Sequence, residues 1–325
     1  MRILITGITG FAGSHLAEYI LRNHPEHKVF GTTRYRSQRD NLSEEVLNGV
    51  ILVDDIDFRD AACVKKLICD VFPDKIFHLA ADSYVPASWR NPGSVIDNNI
   101  QSQINIFEAV KEDRVLVGKT IIQIAGSSEE YGLVQEDECP ISETNPLRPL
   151  SPYAVSKIAQ DMLGYQYWQS HILNVIRTRA FNHTGPRRGE FFVCSSFAKQ
   201  IVEMELGLKE PLLKVGNLDA IRDFTDVRDT VRAYWLLSER GTFGDVYNIG
   251  SGEGHKIKVI LEILLGFSSV GVRYEIDNER MRPSDVPRLI CDNRKLTRET
   301  LWVPEYNIVQ TLLDLLDYWR DKLAT

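Results

Sequence analysis

The sequence has little of what marks secreted, membrane-spanning or nucleic-acid-binding proteins. Its 325 residues include only five cysteines, none in a Cys-x-x-Cys pair, so neither a disulfide framework nor a metal site is expected. No apolar run approaches the roughly 20 residues that span a bilayer, and the first residues read as a strand entering a glycine turn rather than as a signal peptide. Acidic residues outnumber basic ones, 45 to 38, which argues against a general nucleic-acid binder. We therefore expect a reduced, cytoplasmic protein.

The first 180 residues alternate short apolar runs with longer helical patterns. This alternation predicts an α/β fold of the Rossmann type, in which a doubly wound parallel sheet carries helices on both faces. Residues 181–325 are expected to form mainly a smaller, discontinuous C-terminal substrate-binding region, with segments near 222–252 returning to the first domain. The predicted strands lie at 2–6, 28–32, 50–53, 75–79, 120–125 and 174–178, and the main predicted helices lie at 14–23, 62–71, 95–110, 153–170, 227–239 and 256–265.

A glycine-rich turn follows the first predicted strand and opens the first predicted helix. Gly7, Gly10 and Gly13 permit a tight turn and a close approach of a pyrophosphate to the backbone at the helix N-terminus. Three spaced glycines also occur in plain strand-to-helix turns, but the strand–turn–helix context favours a dinucleotide site.

The residues after the second and third predicted strands bear on the choice of dinucleotide. Arg34 stands where an acidic residue would bind the ribose of NAD, and its charge suits a 2′-phosphate, so NADP is favoured over NAD. Arg36 and Arg39 follow as further basic residues or as solvated surface charges. Asp55 and Ile56 end the third strand region and are expected beside the adenine.

A candidate catalytic set follows the fifth predicted strand. Tyr153 and Lys157 share one helix face at a spacing of four, and the lysine is expected to lower the pKa of the tyrosine so that it moves the proton of a sugar hydroxyl. Ser127, at the strand end, is the natural partner of the reacting oxygen. Glu129 offers the carboxylate that a C–H deprotonation requires, whereas Glu130 is expected to be an exposed loop charge.

Together these features resemble the extended short-chain dehydrogenase/reductase family over essentially the whole chain. Within that family the chain is similar to the branch that acts on GDP-mannose and its 4-keto-6-deoxy product, although Ser102-Gln103 departs from the usual Gly-Thr. The segments that carry the resemblance are Thr6-Gly7-x-Thr9-Gly10-Phe11-x-Gly13, Phe77-His78-Leu79-Ala80-Ala81, Asn99, Arg148-Pro149-x-Ser151-Pro152-Tyr153-Ala154-Val155-Ser156-Lys157, Phe181-Asn182-His183, Pro186-Arg187-Arg188-Gly189-Glu190, Gly216-Asn217-Leu218-x-Ala220-x-Arg222-Asp223 and Arg282-Pro283-Ser284-Asp285-Val286.

The resemblance implies which residues bind each ligand. The cofactor-binding residues are then Gly7, Thr9, Gly10, Phe11, Ala12, Gly13, Arg34, Asp55, Ile56, Leu79, Ala80, Ala81, Asn99, Tyr153 and Lys157. The residues expected at the nucleotide-sugar are Ser83, Ser128, Asn182, Val193, Lys199, Asn217, Arg222, Arg282 and Asp285. Lys199 and Arg222 would balance the diphosphate charge, while Asn217 and Asp285 are equally open to a loop-stabilising role.

Two reactions of this branch compete. In a GDP-mannose 4,6-dehydratase, Tyr153 takes the O4 proton as hydride passes to NADP⁺, Glu129 removes the C5 proton, and water leaves from C6. In a GDP-4-keto-6-deoxy-D-mannose reductase, NADPH reduces C4 to give GDP-D-rhamnose, Tyr153 donates the proton, and Glu129 is a spectator. The dehydratase leads because Ser-Ser-Glu at the strand end and the Pro-Arg-Arg-Gly-Glu loop are retained, whereas the compact length matches the reductase. A nucleotide-sugar 4-epimerase and a non-catalytic NADP sensor rank lower.

The resemblance also implies self-association. In the family, the helix that carries Tyr153 and the helix at 95–110 pair with their copies across a two-fold axis, and a homodimer is expected. A homotetramer that shares the 34–39 loop between dimers is the alternative. The apolar and aromatic positions that fit the pairing are Met162, Leu163, Tyr165, Tyr167 and Trp168.

Overall fold

A parallel sheet forms the centre of the protein, whose computed structural model describes residues 1–35, 37–277 and 286–324. The strands among these residues are β1 (Arg2–Thr6), β2 (Lys28–Thr32), β3 (Val50–Val53), β4 (Lys75–His78), β5 (Ile121–Ser127), β6 (Asn174–Ala180), β7 (Asn182–Thr184), β8 (Leu212–Val215), β9 (Ile221–Asp226), β10 (Val246–Ile249), β11 (Gly254–Lys256), β12 (Arg273–Ile276) and β13 (Arg288–Leu289). The helices are α1 (Phe11–Asn23), α2 (Glu44–Gly49), α3 (Ala61–Val71), α4 (Val85–Arg90), α5 (Pro92–Glu112), α6 (Pro152–His171), α7 (Val193–Glu205), α8 (Val227–Arg240), α9 (Ile257–Gly266), α10 (Arg294–Thr300) and α11 (Ile308–Ala324).

The central sheet has seven parallel strands in the order β3-β2-β1-β4-β5-β6-β10. Its two faces are both buried, because neighbouring residues of β1 point to opposite faces: Ile3 and Ile5 join one apolar cluster and Leu4 joins the other. The strand order reverses between β1 and β4, which opens a crevice at the carboxyl ends of these strands. The predicted doubly wound α/β fold is confirmed.

The fifth and sixth strands continue further than the sequence predicts. The predicted ends at residues 125 and 178 are two residues short, because the pairing runs on to Ser127 opposite Ala180. Gly126 allows this continuation, since a Cβ there would lie 2.2 Å from the Thr178 carbonyl oxygen. The extension matters for the site, because it makes Ser127 the last residue of a regular strand.

The residues after β6 alternate between the central sheet and a smaller set of elements. β9 lies at the centre of a small sheet, paired with β11, β13 and β7, and β8 pairs with β12. Helices α7, α9 and α11 enclose an apolar cluster that includes Phe197, Leu261 and Leu316. Between β9 and β11 the chain returns to the central sheet: α8 packs on α1, and β10 completes the sheet. None of the helices in the described part of the chain is both long and apolar enough to cross a bilayer.

A single buried aromatic residue joins the returning segment to the C-terminal helices. Trp302 is fully buried, and its indole N–H donates to the carbonyl oxygen of Asp229, the third residue of α8, at 3.0 Å. We expect Trp302→Ala to lower the free energy of unfolding by about 3–5 kcal/mol, because it leaves a large cavity and removes this hydrogen bond. Urea unfolding followed by far-ultraviolet circular dichroism measures this loss. Val303→Ala, at a half-exposed neighbour, serves as the control, and an equal loss in the two variants would contradict the prediction.

Candidate active site

The glycine-rich turn forms a cradle at the carboxyl end of β1. Gly7 has a φ of +68°, and a Cβ on it would lie 3.0 Å from the Ala80 Cα atom, so glycine alone suits this position. A Cβ on Gly13 would lie 2.4 Å from the Gly7 carbonyl oxygen, so the start of α1 sits tightly on the turn. Gly10 precedes α1 without a side-chain cap, which leaves the first helical N–H groups for a phosphate. These residues fit a dinucleotide pyrophosphate.

Thr6 ties together the two strands that flank this cradle, and the predicted site residues did not include it. Its hydroxyl oxygen accepts the backbone N–H groups of Leu79 and Ala80, each at 3.0 Å, and lies 3.0 Å from His78 Nδ1. Burial lowers the pKa of His78 to about 3, so this imidazole stays neutral. The loop after β4 is therefore fixed against β1. The available signal was a hydroxyl residue directly before the first glycine.

Asn99 lies beneath the same loop, completely buried on α5. Its carbonyl oxygen accepts the Asp82 N–H at 2.8 Å, and its amide nitrogen donates to the Asp82 carbonyl at 3.2 Å and to the Ser156 hydroxyl at 3.0 Å. The side-chain amide is thus engaged within the protein. Any effect of Asn99 on a cofactor would be indirect, through the loop that it holds.

A cavity of about 450 Å³ opens beside the ends of β2 and β3. Its lining includes Arg34, Asp55 and Ile56, so the three residues predicted for the adenosine end of a cofactor come together. Arg59 also lines the cavity, and its guanidinium is paired with Asp57 at 2.9 Å. Arg59 was not predicted, because it lies well beyond the second strand.

Arg36 and Arg39, the two arginines that follow Arg34, were both open to a cofactor-binding or a surface role. Arg36 lies outside the described residues. Arg39 donates to Asp54 at 2.6 Å, and the Thr33 hydroxyl donates to the same carboxylate oxygen at 2.7 Å. Arg39 is therefore part of a surface ion pair, whereas Arg34 is exposed at the rim of the cavity.

The predicted catalytic residues meet where β5 ends and α6 begins. Ser151 caps α6 by accepting the Ala154 N–H, which places Tyr153 and Lys157 in its first two turns. The Ser127 hydroxyl lies beside the phenol of Tyr153, close enough to act on its pKa. The Lys157 ammonium donates to the Ala125 carbonyl oxygen at 2.9 Å and lies 5.9 Å from the centre of the Tyr153 ring.

The pKa values of Tyr153 and Lys157 differ from those that the sequence predicts. Burial lowers the pKa of Lys157 to about 8. Burial also raises the pKa of Tyr153 above its ordinary value, against the opposing effects of the Ser127 hydroxyl and the Arg188 charge. The expected lowering of the Tyr153 pKa by Lys157 is thus wrong for the protein alone. Desolvation prevails because the ammonium is directed at a backbone carbonyl rather than at the phenol oxygen.

A short 3₁₀ turn, Ser128–Glu130, follows Ser127 and carries both neighbouring carboxylates. Glu129 is half-buried, and its charge, like that of Glu130, contributes to raising the pKa of Tyr153. Glu130 is completely buried, and its carboxylate pairs with Arg179 at 3.2 Å. The prediction that Glu130 is an exposed loop charge is therefore wrong, because its partner comes from a strand about 50 residues later in the sequence.

Arg188 brings a positive charge close to Tyr153. Its guanidinium lies 3.4 Å from the centre of the Phe192 ring and 4.9 Å from that of Phe11. Burial lowers its pKa to about 10, and its charge counteracts the rise in the Tyr153 pKa. The preceding Arg187 donates to Glu18 of α1 at 2.6 Å. Both arginines thus face the glycine-turn side of their own chain, and neither was among the predicted site residues.

A second cavity of about 450 Å³ lies on the other side of the loop after β4. Ser83 and Tyr84 line one wall, and Phe191 and Phe192 line another. Val193 follows directly as the first residue of α7. The cavity therefore brings two of the predicted substrate residues, Ser83 and Val193, to one region.

Lys199 already has acidic partners within the protein. Its ammonium pairs with Glu190, lies 3.6 Å from Glu203, and stands 5.5 Å from the centre of the Trp319 ring. These carboxylates raise the pKa of Lys199. The structure thus does not leave Lys199 as an unpaired cation.

The remaining predicted substrate residues lie on or beside the small sheet. β7 pairs Asn182 with Phe224, two residues beyond Arg222 on β9. The guanidinium of Arg222 donates to its neighbouring carbonyl, Ile221, at 2.9 Å. Asn217 accepts the Asp219 N–H at 3.0 Å and so shapes its own turn. The predicted residues 282 and 285 lie outside the described part of the chain.

Comparisons with known proteins agree with this architecture. The sequence model of the GDP-mannose 4,6 dehydratase family matches residues 4–315, and the chain belongs to that family. It is 33% identical to a GDP-6-deoxy-D-mannose reductase of Pseudomonas aeruginosa, over 99% of this chain and 98% of that protein. It is 31% identical to GDP-mannose 4,6 dehydratase 2 of Arabidopsis thaliana, over 97% and 85% of the two chains.

Comparison with solved structures agrees with the family found from the sequence. The structure of RMD from Pseudomonas aeruginosa complexed with NADPH superposes with a TM-score of 0.85 at 31% identity, covering 99% of this chain and 100% of that one. A UDP-glucose 4-epimerase of Thermotoga maritima superposes at 0.87 with 24% identity, over 99% and 100% of the chains, which shows the shared fold alone. The resemblance predicted from the sequence is confirmed at the level of the family.

Burial gives two lysines at opposite ends of the central sheet an unusual titration. Lys157, near the carboxyl ends, and Lys75, at the start of β4, both have pKa values lowered to about 8. We expect two ¹³Cε-lysine resonances to titrate near pH 8 in nuclear magnetic resonance spectra. Lys157→Met should remove one and Lys75→Met the other. Titration of every lysine above pH 10 would contradict the burial that the structure shows.

Proposed function

We propose that this protein is an NADP-dependent enzyme that modifies the hexose of a GDP-sugar, with GDP-mannose 4,6-dehydration as its leading reaction. The observation that carries this choice is that the residues at the end of β5 bring a hydroxyl, Ser127, and a second acidic group, Glu129, within electrostatic reach of Tyr153. Oxidation of a hydroxyl needs Ser127, Tyr153 and Lys157. Elimination of water needs a further base, and Glu129 supplies it.

The chain's own groups account for the proton transfers. The bound nicotinamide would supply the hydride acceptor and later the donor. Tyr153 takes the proton of the sugar O4, and the Ser127 hydroxyl, which lies beside Tyr153, orients that oxygen. Positive charge from Lys157 and Arg188 favours the phenolate form of Tyr153, which is the form that accepts this proton. Glu129 then removes the acidified C5 proton and passes a proton to the departing C6 hydroxyl, which leaves as water.

Support for the diphosphate site comes from the residues around β7 and β9. Asn182 and Arg222 lie on strands that pair in register, so they are proposed to face one phosphate group. Ser83, Ser128 and Val193 would contact the sugar. Because Lys199 is paired with Glu190, we infer that a bound diphosphate competes with that carboxylate for the ammonium.

A second reaction, reduction of a GDP-4-keto-6-deoxymannose, has its own support. The chain covers 98% of the Pseudomonas aeruginosa reductase, whereas it covers 85% of the Arabidopsis thaliana dehydratase. In the reductase, Tyr153 would donate a proton to the C4 oxygen and Glu129 would only line the pocket.

We also propose a homodimer and a cytoplasmic location. Met162 and Tyr165 are exposed apolar residues on α6, as a helix-pairing interface requires, together with Val155. Tyr167 does not support the interface, because it is buried against Phe107 within its own chain. The cysteines are free thiols, in keeping with a reducing compartment.

Incubation of GDP-mannose with the protein and a trace of NADP⁺ tests the leading reaction. Mass spectrometry should show loss of one water from the sugar over many turnovers per cofactor. Glu129→Gln should lower this rate by about 100-fold or more, because a general base contributes 10²–10⁴-fold. Glu136→Gln, which changes an exposed carboxylate nearby, is the matched control. Untouched GDP-mannose, with GDP-4-keto-6-deoxymannose consuming NADPH one for one, would establish the reductase instead.

The position of Arg34 predicts which cofactor binds more tightly. Arg34→Gln should raise the Kd of NADPH about 10-fold or more, since a charged hydrogen bond to phosphate contributes roughly 1.5–3 kcal/mol. NADH, which has no 2′-phosphate, should bind the variant and the wild type alike. Fluorescence titration of the reduced cofactors measures both values. Arg22→Gln, an exposed arginine of the same domain, is the control. Equal effects on the two cofactors would contradict this assignment.

A further inference from the structure

The turn that carries Ser127 and Glu129 rests on a buried carboxyl group that neither reaction uses. Glu130 Oε1 accepts the backbone N–H of Ser127 at 2.8 Å. The Ser127 hydroxyl oxygen in turn accepts the Glu129 N–H at 3.2 Å. The side chain of Glu130 therefore folds back beneath the turn and fixes the backbone at both reacting residues. Glycine at 126 leaves the space, since a Cβ there would lie 2.5 Å from Glu130 Oε1.

The same carboxyl group is joined to the helix that carries Tyr153 and Lys157. Arg179 lies 3.2 Å from Glu130 and donates to the Asp161 carboxylate through Nε at 2.9 Å and Nη2 at 2.5 Å. Asp161 belongs to α6, one turn beyond Lys157. Arg177 donates to the other oxygen of Asp161 at 2.6 Å. Arg179 of β6 thus connects the end of β5 to α6, and Arg177 of the same strand holds Asp161 as well.

The arrangement is rigid, because its members lie inside the protein. Glu130 is completely buried, and Asp161, Arg177 and Arg179 are buried beside it. Arg179 also donates to the Tyr131 hydroxyl at 3.1 Å, and that hydroxyl donates to Asn248 of β10 at 2.6 Å. Charged groups held by several partners in a dry interior move little, since every alternative position leaves a charge unpaired.

The charge of Glu130 affects the pKa values of Tyr153 and Lys157. Burial and the adjacent Asp161 raise the pKa of Glu130, while Arg179 opposes the rise. The carboxylate form raises the pKa of Lys157 and of Tyr153. Glu143 is the other carboxyl near this cluster, and it accepts the Asn248 N–H at 2.9 Å on the far side of Arg179.

We propose that Glu130 is a positioning residue, which holds the Ser127–Glu129 turn in register with Tyr153 and Lys157 through Arg179 and Asp161. It touches neither sugar nor cofactor. This role rests on the proposed function, because it concerns the geometry of that proton-transfer site. The same contacts would fix the distance between Ser127 and Glu129, at the end of β5, and Tyr153 and Lys157, which lie on α6.

Two substitutions separate the hydrogen bond from the charge. Glu130→Gln keeps an oxygen that accepts the Ser127 N–H, and its amide donates toward Asp161. Glu130→Leu has a similar volume but no acceptor, so the turn is released. We expect kcat to fall by on the order of 100-fold in the leucine variant, as for a misplacement of about 1 Å. The KM for the sugar and the Kd for NADPH should change little, and the glutamine variant should recover most of the loss.

Hydrogen–deuterium exchange provides a readout that needs no turnover. A peptide that covers residues 125–132 should exchange faster in Glu130→Leu and near the wild-type rate in Glu130→Gln. Glu143→Leu removes the same kind of carboxyl-to-backbone bond from the same cluster and is the matched control. It should leave both kcat and the exchange of this peptide unchanged.

The outcomes separate this role from the proposed reaction. A wild-type protein that converts neither GDP-sugar would refute the proposed function, and the exchange data would still decide whether Glu130 holds the turn. Unchanged exchange and kcat in Glu130→Leu would overturn the positioning role. So would glutamine and leucine variants that lose kcat equally, since the hydrogen bond would then be irrelevant. If the leucine variant does not fold, wild-type exchange and kcat in Glu130→Gln support the role, and a 100-fold loss there overturns it.

Discussion

The parallel direction of the central strands is the constraint on which the site depends. Because these strands all run the same way, their carboxyl ends meet at one edge of the sheet. The glycine turn after β1, the loop after β4 and the turn after β5 are therefore neighbours, although the first and the last of them are more than 100 residues apart in the sequence. Thr6 converts this proximity into a fixed distance, since its hydroxyl binds the backbone of the adjacent loop directly. The distances between the segments that carry the catalytic residues are thus determined by the strand order of the sheet, and the side chains only refine them.

The site also carries an unusual amount of buried charge. Lys157, Arg188 and Glu130 all have pKa values shifted by burial, each toward its neutral form. Apolar residues in these places would be more favourable for stability, because desolvating a charge costs several kcal/mol that a single partner seldom recovers. Lys157 and Arg188 nevertheless place positive charge beside Tyr153, where it favours the phenolate that takes part in proton transfer. The buried charges that would assist proton transfer therefore lower the stability of the folded protein.

The sequence predicted those parts of the site that depend on neighbours along the chain. Gly7 to Gly13 and the Tyr153–Lys157 pair lie within single turns, so their spacing alone determines their geometry. The burial of Glu130 and the pairing of Lys199 were not predicted, because they depend on Arg179 and on the loop that carries Glu190. The ends of β5 and β6 were likewise placed too early, since Gly126 suggests a break and only the pairing with β6 shows that the strand continues.

The return of β10 to the central sheet has a consequence for the order in which the protein can fold. During synthesis, the first 180 residues emerge before the strand that covers the outer edge of β6 exists. The helix that packs on α1, α8, also comes from this later part of the chain. A ribosome-bound intermediate therefore exposes an unpaired strand edge and an apolar helix face until about residue 250 has been released. Both are surfaces that favour aggregation, so the nascent chain is a natural client for chaperones.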